Sequence, residues 1–235
     1  MPAVTVVFDL DGTLVDTAPD LVDTLNVVFT QEGLPTVPFD KARNLIGGGA
    51  RRMIERGLQA DGRSCTLAEV DRLFAQFIEH YAAHIADRSR PFPAAEWALD
   101  SLAADGFRFA ICTNKLEWLA VKVLDALDLS HHFRAVCGQD TFGILKPNPE
   151  ILRRTVQRAG GTLERTLMVG DSGNDITTAR AAGVPIVAVD FGYTEIPVAR
   201  FEPDCLISGF EQLPAAVYDV LGRAADLRIP ASSAR

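Results

Sequence analysis

The run from Val4 to Asp16, Val-Thr-Val-Val-Phe-Asp-Leu-Asp-Gly-Thr-Leu-Val-Asp, constrains this chain more than any other. Its first half is apolar and β-branched with no polar face, the pattern of a strand buried on both sides. Such strands belong to parallel sheets, and a carboxylate at their carboxyl end sits where open α/β sheets bind ligands. Asp9 and Asp11 point to opposite faces while the chain is extended, so they converge only if the backbone coils just after Asp9. Gly12 makes that coil accessible, because glycine takes φ > 0 without strain. Two carboxylates gathered there repel, and a divalent cation is the usual remedy. An isolated Asp-Gly pair would read as a solvated turn. The full D-x-D-G-T-x-x-D run behind a buried strand is far more specific.

Beyond it, Thr17-Ala18-Pro19-Asp20 predicts a helix start, with Thr17 as the cap and proline in the first turn. Leu21, Leu25, Val28 and Phe29 follow at helical spacing, and Val70, Phe74, Phe77, Tyr81 and Ile85 form a second stripe of packing residues. The pattern stays helical to about Arg88, which predicts an all-helical unit, residues 17–90, inserted after the first strand. Arg90-Pro91-Phe92-Pro93 then reads as a linker. Strand-like runs follow at 107–112, 135–137, 166–169, 185–189 and 204–207, with helical stretches between most of them, such as Glu117 to Leu127 and Pro149 to Ala159. Such alternation implies right-handed crossovers, and so a doubly wound, mostly parallel α/β core made of residues 1–16 and 91–235. The tail from Arg223 to Arg235 is small and polar enough to be partly disordered.

A net charge of −8 argues against nucleic acid as a partner, which would need a basic stripe. It leaves room for a locally positive pocket that takes an anionic substrate. No leader pattern and no apolar run of membrane-spanning length is read. Cys65, Cys112, Cys137 and Cys205 are scattered without a C-x-x-C pair, so reduced thiols and a cytoplasmic location are expected. His80 and His84 share a helix face but lack a nearby third zinc ligand, and His131-His132 reads as a solvated turn.

Other strands end in polar residues as the first one does. Thr113-Asn114-Lys115 offers a hydroxyl and amides to a phosphate oxygen, though Thr-Asn alone reads more readily as a helix cap. Gly170-Asp171-Ser172-Gly173-Asn174-Asp175-Ile176 puts two more carboxylates in a glycine-rich loop, without the distal glutamate of a calcium loop. Lys146-Pro147-Asn148-Pro149 sets a lysine just before a helix, and acids crowded at one edge give that cation a purpose. Asp9 and Asp11, Thr113, Lys146, then Asp171 and Asp175 match, in order, the four motifs of the haloacid dehalogenase-like superfamily, which the chain resembles over nearly its whole length. Within it, the wording at Phe8 to Leu21, Thr113-Asn114-Lys115, Lys146-Pro147 and Gly192-Tyr193-Thr194 is closest to the phosphoglycolate phosphatases. One departure is Ala94 after Phe92-Pro93, where such proteins usually carry glycine.

The resemblance implies a Mg²⁺-dependent phosphomonoester hydrolase with Asp9 as nucleophile and Asp11 as general acid and base. It implies that Asp9, Asp171 and the backbone carbonyl of Asp11 hold the metal, and that Thr113 and the amide of Asn114 hold the phosphoryl group. Lys146 offsets charge, and Asp175 orients Lys146 or a metal-bound water. Residues 17–90 would be a cap, whose Gly48, Gly49, Arg51 and Arg52 are expected to contact a small phosphorylated metabolite. The smallest substrate with phosphate at one end and carboxylate at the other is 2-phosphoglycolate. A β-phosphoglucomutase-like or pyrophosphatase activity is the alternative on the same scaffold, and a non-catalytic, phospho-accepting or phosphate-binding regulator the alternative of another class. A dehalogenase is disfavoured because Asp11 supplies the acid a phosphatase needs. Neither nucleic acid nor membrane is expected as a partner, and monomer and homodimer both remain open.

Overall fold

The structure, a computed structural model, describes residues 3–60 and 62–223. Strand β1 (Thr5–Phe8) leads to a two-residue strand β2 (Val15–Asp16), then to helices α1 (Ala18–Gln31), α2 (Phe39–Arg43), α3 (Ala50–Ala60) and α4 (Leu67–Ala83), and to a second two-residue strand, β3 (Arg90–Pro91). The rest alternates: α5 (Ala95–Ala104), β4 (Arg108–Cys112), α6 (Glu117–Ala126), β5 (Phe133–Cys137), α7 (Pro149–Arg158), β6 (Thr166–Gly170), α8 (Gly173–Ala182), β7 (Ile186–Val189), β8 (Cys205–Ile207) and α9 (Leu213–Arg223). The tail beyond Arg223, expected to be partly disordered, lies outside the described residues.

The long strands form one sheet in the order β5-β4-β1-β6-β7-β8, every neighbouring pair parallel, as the alternation predicted. Side chains alternate along β1, so its apolar run feeds two layers at once. Val6 and Phe8 join one core cluster with Leu99, Leu119 and Val217, while Val7 joins a second with Ile151, Val156 and Ile176. Helices therefore cover both faces, which is why β1 carries no polar alternation. The chain winds to one side of β1 through β4 and β5, and to the other through β6, β7 and β8. The crevice at that reversal is where such sheets hold ligands, and Asp9 follows the last residue of β1 directly.

The linker read at 90–93 is instead paired. β3 runs antiparallel to β2, with Val15 opposite Pro91 and Asp16 opposite Arg90. The N–H of Phe92 donates to the Leu14 carbonyl (3.1 Å). Two-residue strands carry no periodicity, so sequence pattern did not register them. Asp20, in the first turn of α1, clasps the same junction: it accepts the N–H groups of Arg88 (3.0 Å) and Ser89 (2.7 Å) and the Ser89 hydroxyl (2.5 Å). Ala94 stands at φ 61°, in the left-handed region that favours glycine. All four cysteines are free, and burial pushes the Cys112 thiol up to about 12, so it is inert. No helix among the described residues is long and apolar enough to cross a membrane.

Candidate active site

The backbone does coil just past Asp9. The Leu10 carbonyl accepts the N–H groups of both Leu14 and Val15 (3.0 Å each). Gly12 has φ +83°, and a Cβ there would stand 2.8 Å from a carboxylate oxygen of Asp171, so both conformation and space require glycine. The two acids of the first motif nevertheless part company. Asp9 turns toward Asp171 and Asp175, and Asp11 toward Lys115.

On the Asp9 side, carboxylate oxygens of Asp9, Asp171 and Asp175 lie within 4.8 Å of one another, all three residues buried. Asp9 Oδ1 accepts the Leu10 N–H (2.7 Å) and pairs with Lys146 Nζ (2.8 Å), which leaves Oδ2 without either contact. Lys146 Nζ also donates to Asp175 Oδ1 (2.6 Å). Asp175 Oδ2 accepts the N–H (3.0 Å) and hydroxyl (2.6 Å) of Ser172, completing a capping box at the start of α8. Asp171 accepts the Thr13 hydroxyl (2.8 Å) and the Tyr193 N–H (2.8 Å). Burial pushes the Asp9 carboxyl from 3.8 up to about 6, with Lys146 pulling against the rise. Burial, then Asp175 and Asp9, push Asp171 well above the usual carboxylate range. Burial opposes the Lys146 charge too, but Asp175 and Asp9 outweigh it and hold the ammonium form. One lysine against three acids leaves negative charge in excess, and the donors are all oxygen. That set suits a hard divalent cation. Asp175 Oδ1 is taken by the Lys146 ammonium and its Oδ2 by Ser172, and the oxygens of Asp171 accept only neutral donors, so Asp9, with Oδ2 uncommitted, and then Asp171 are the better-placed ligands.

On the other side, Asp11 Oδ1 accepts the Thr17 hydroxyl (2.7 Å) and the Lys115 ammonium (2.8 Å). Thr17 occupies the cap position of α1 without making the expected cap bond: its backbone is helical (φ −95°, ψ −5°) rather than extended, and its hydroxyl donates to Asp11. The Thr113 hydroxyl accepts the Lys115 N–H (3.1 Å), which keeps its own proton for another acceptor. Asn114 was expected to act through its backbone amide alone. Its side chain does more: Oδ1 accepts the N–H of Lys146 (2.8 Å) and Nδ2 donates to the Lys146 carbonyl (3.2 Å), tying that loop to the end of β4.

The Gly47–Gly49 loop of the helical segment lies against this edge. The Gly47 carbonyl accepts the side-chain amides of Asn114 (3.5 Å) and Asn174 (3.3 Å). Gly49 has φ +85°, and a Cβ there would come within 3.1 Å of the Asn114 carbonyl. Below the loop is a cavity of about 40 Å³, with Asp9, Asp11 and Thr113 on the core side and Met53, Phe74 and Phe77 opposite. Gly49 borders it, whereas Gly48 and Arg52 line an adjoining, more open cleft with Asn174 and Thr194. Arg51 points away, pairing with Asp71 (2.5 Å) over the Phe74 ring. Neither arginine expected at the substrate lines the cavity, since α3 turns both aside. His80 and His84 stack on each other, bonded to Thr24 and Asp87, and the acidic trio is the one potential metal cluster among the described residues.

Sequence reasoning assigned Tyr81 to packing alone and gave no role to Thr13, Lys115 or Tyr193. Lys115 and Tyr193 stood in runs already singled out, but their partners are distant in the chain. Besides its N–H bond to Asp171, Tyr193 donates its hydroxyl to Asp16 and accepts the Ala18 N–H (2.9 Å). Arg43 of α2 sits over the Tyr193 ring, 5.1 Å from its centre, and donates to the Phe191 carbonyl (2.8 Å).

Known proteins resemble this chain in sequence and fold. The family model for haloacid dehalogenase-like hydrolases matches residues 6–189. A phosphoglycolate phosphatase of Mesorhizobium japonicum is 48% identical over 220 residues, covering 94% of this chain and 97% of that protein. One from Caulobacter vibrioides is 46% identical over 217 residues, covering 92% of each. A crystal structure titled a predicted phosphoglycolate phosphatase, from Haemophilus somnus, superposes with a TM-score of 0.84 at 29% identity, covering 92% of this chain and 98% of that one. The chain belongs to the haloacid dehalogenase-like hydrolase family.

Proposed function

We propose that this hydrolase converts 2-phosphoglycolate to glycolate and phosphate, with Mg²⁺, through an aspartyl-phosphate on Asp9. The chain is a phosphatase. The observation that carries the reading is one small cavity faced by a carboxylate with an uncommitted oxygen, Asp9, and by a separate acid, Asp11. The relatives named phosphoglycolate phosphatase support the substrate.

Asp9 Oδ2 attacks phosphorus, and the bond from phosphorus to the ester oxygen breaks as Asp11 delivers a proton to that oxygen. A water then attacks the phosphoryl group, Asp11 takes its proton, and Asp9 is released. Thr113 and the Asn114 N–H hold phosphoryl oxygens, while Lys146 offsets charge on Asp9 and the transferring group. Asp175 keeps Lys146 aimed at Asp9. Mg²⁺, held by Asp9, Asp171 and the Asp11 carbonyl, would offset negative charge on the phosphoryl group. The helical segment 17–90 acts as a cap that excludes water while the leaving group departs.

The test is turnover of 2-phosphoglycolate, glycerol phosphate and para-nitrophenyl phosphate with Mg²⁺ and with a chelator, plus mass spectrometry of acid-quenched protein. Metal-dependent hydrolysis, a preference for 2-phosphoglycolate and phosphate on the peptide carrying Asp9 are expected. Substantial turnover by folded Asp9→Asn protein would rule out the nucleophile, and equal rates across the panel would rule out the substrate.

A further inference from the structure

The cavity over Asp9 and Asp11 is unevenly lined. Its outer wall, Met53, Phe74, Phe77 and Ile78, is apolar, so a second charge on the substrate must find its partner on the core side. Among the described residues that border the cavity, Lys115 is the one cation. Arg51 is paired with Asp71 outside, Arg52 lies in the neighbouring cleft, and Lys146 is held between Asp9 and Asp175. The Lys115 side chain is only 5% exposed, and its charge is sustained by Asp11 against the opposing effect of burial. Next to it, Tyr81 of α4 also lines the cavity, and its buried hydroxyl has no hydrogen-bond partner. The Lys115 ammonium lies 4.6 Å from the centre of the Tyr81 ring, near enough to feel the hydroxyl without a well-formed bond to it. A buried, unpaired hydroxyl is rare in a native protein and calls for an explanation.

We propose that Lys115 and Tyr81 form the subsite for the substrate's carboxylate and thereby set specificity, which rests on the phosphoglycolate reading above. Lys115 Nζ is 2.8 Å from Asp11 Oδ1, the group that faces the leaving oxygen in that reading. In 2-phosphoglycolate a single methylene joins that oxygen to the carboxyl carbon, so the carboxylate oxygens lie on the order of 3 Å from it at ordinary bond lengths. An ammonium beside Asp11 therefore reaches the carboxylate while the phosphoryl group sits at Asp9. Lysine has three donors, so the bond to Asp11 persists when the carboxylate arrives. The Tyr81 hydroxyl donates to the second carboxylate oxygen, and the apolar wall strengthens both contacts by keeping water out. A phosphomonoester without a carboxylate leaves the Tyr81 hydroxyl unsatisfied and Lys115 paired with Asp11 alone, and is selected against.

The experiment compares kcat/KM for 2-phosphoglycolate and ethyl phosphate in the wild type, Lys115→Met and Tyr81→Phe. Lys115→Met lowers both values, because Lys115 also holds Asp11, but lowers the 2-phosphoglycolate value by a further factor of roughly 10–100. Tyr81→Phe breaks no hydrogen bond of the free protein and lowers the ratio of the two values by about 3- to 10-fold. A binding readout separates this from catalysis: adding Lys115→Met to Asp9→Asn protein weakens its Kd for 2-phosphoglycolate far more than for inorganic phosphate. An unchanged ratio in a variant removes that residue from the subsite, and Tyr81→Phe decides alone if Lys115→Met does not fold. A wild type that prefers 2-phosphoglycolate while both variants keep its ratio overturns the subsite and leaves the function standing. A wild type with no such preference overturns both.

Discussion

Replacing Asp9 by asparagine is close to protonating it permanently, and the structure gives that change a sign for stability. The side chain keeps its volume, its Oδ1 can still accept the Leu10 N–H and face Lys146, and the new amide nitrogen replaces an oxygen that made neither contact. Burial raises the Asp9 pKa from 3.8 to about 6 in the folded protein, a difference of roughly two units or ~3 kcal/mol. The attraction of Lys146 is already contained in that net rise. For an acid whose folded pKa is raised, the fold carries no penalty below its unfolded value and the full penalty above its folded one. Metal-free wild type thus loses stability as pH climbs from 3.8 through about 6, and Asp9→Asn does not suffer this particular loss. At pH 8 in chelator the variant should melt higher by roughly 6–12 °C, at about 2–4 °C per kcal/mol for a chain of this size. The gap should shrink below pH 6 and close near pH 4, as seen by thermal melts across that range. Adding Mg²⁺ should narrow it at pH 8, since the ion stabilises the form that binds it. An Asp9→Asn protein no more stable than wild type at pH 8 without metal would refute the reasoning that burial strains this carboxylate.

Other outcomes follow from the same contacts. Lys146→Ala should reduce kcat by about 10²–10³, the scale of losing one preorganised charge-stabilising group, and unchanged kinetics would mean that the lysine is merely structural. Asp11→Asn should reduce hydrolysis of alkyl phosphates by roughly 10²–10⁴ but that of para-nitrophenyl phosphate by less, because nitrophenolate leaves without a proton. A uniform loss across leaving groups would remove the acid assignment. Ala94→Gly should stabilise the protein by about 0.5–1 kcal/mol in urea denaturation by relieving the left-handed strain at φ 61°, and a loss of stability would show that chain entropy outweighs it.

Much of the fold is legible because β1 needs no partner to be recognised. Val6, Val7 and Phe8 are apolar on both faces, and only a strand between two helical layers tolerates that. The acids, Thr113 and Lys146 are legible for a similar reason, since each stands where a strand ends or a helix begins. The roles of the Asn114 side chain and Lys115 are not, because each depends on a distant partner. The Asn114 side chain spans 32 positions to Lys146, and Lys115 spans 104 to Asp11. Thr17 matched a local signature, helix capping, but its helical backbone turns the hydroxyl away from the helix start and toward Asp11. Arg51 and Arg52 failed to reach the cavity because composition places them on a helix without saying which way that helix faces.

The pairing of β2 with β3 bears on how the helical segment can move. A body tethered by one strand of chain swivels freely about it, whereas two antiparallel strands fastened together resist torsion and yield mainly to bending. Asp20 fixes where the bend begins, by gripping Arg88 and Ser89 beside the first turn of α1. If the helical segment is the cap proposed above, a movement that keeps this pairing intact is a hinge about it, and such a hinge would carry Tyr81 and the Gly47–Gly49 loop together relative to the edge of the sheet. Registration between the two halves of the cavity is then a property of the connection itself, available before any substrate arrives.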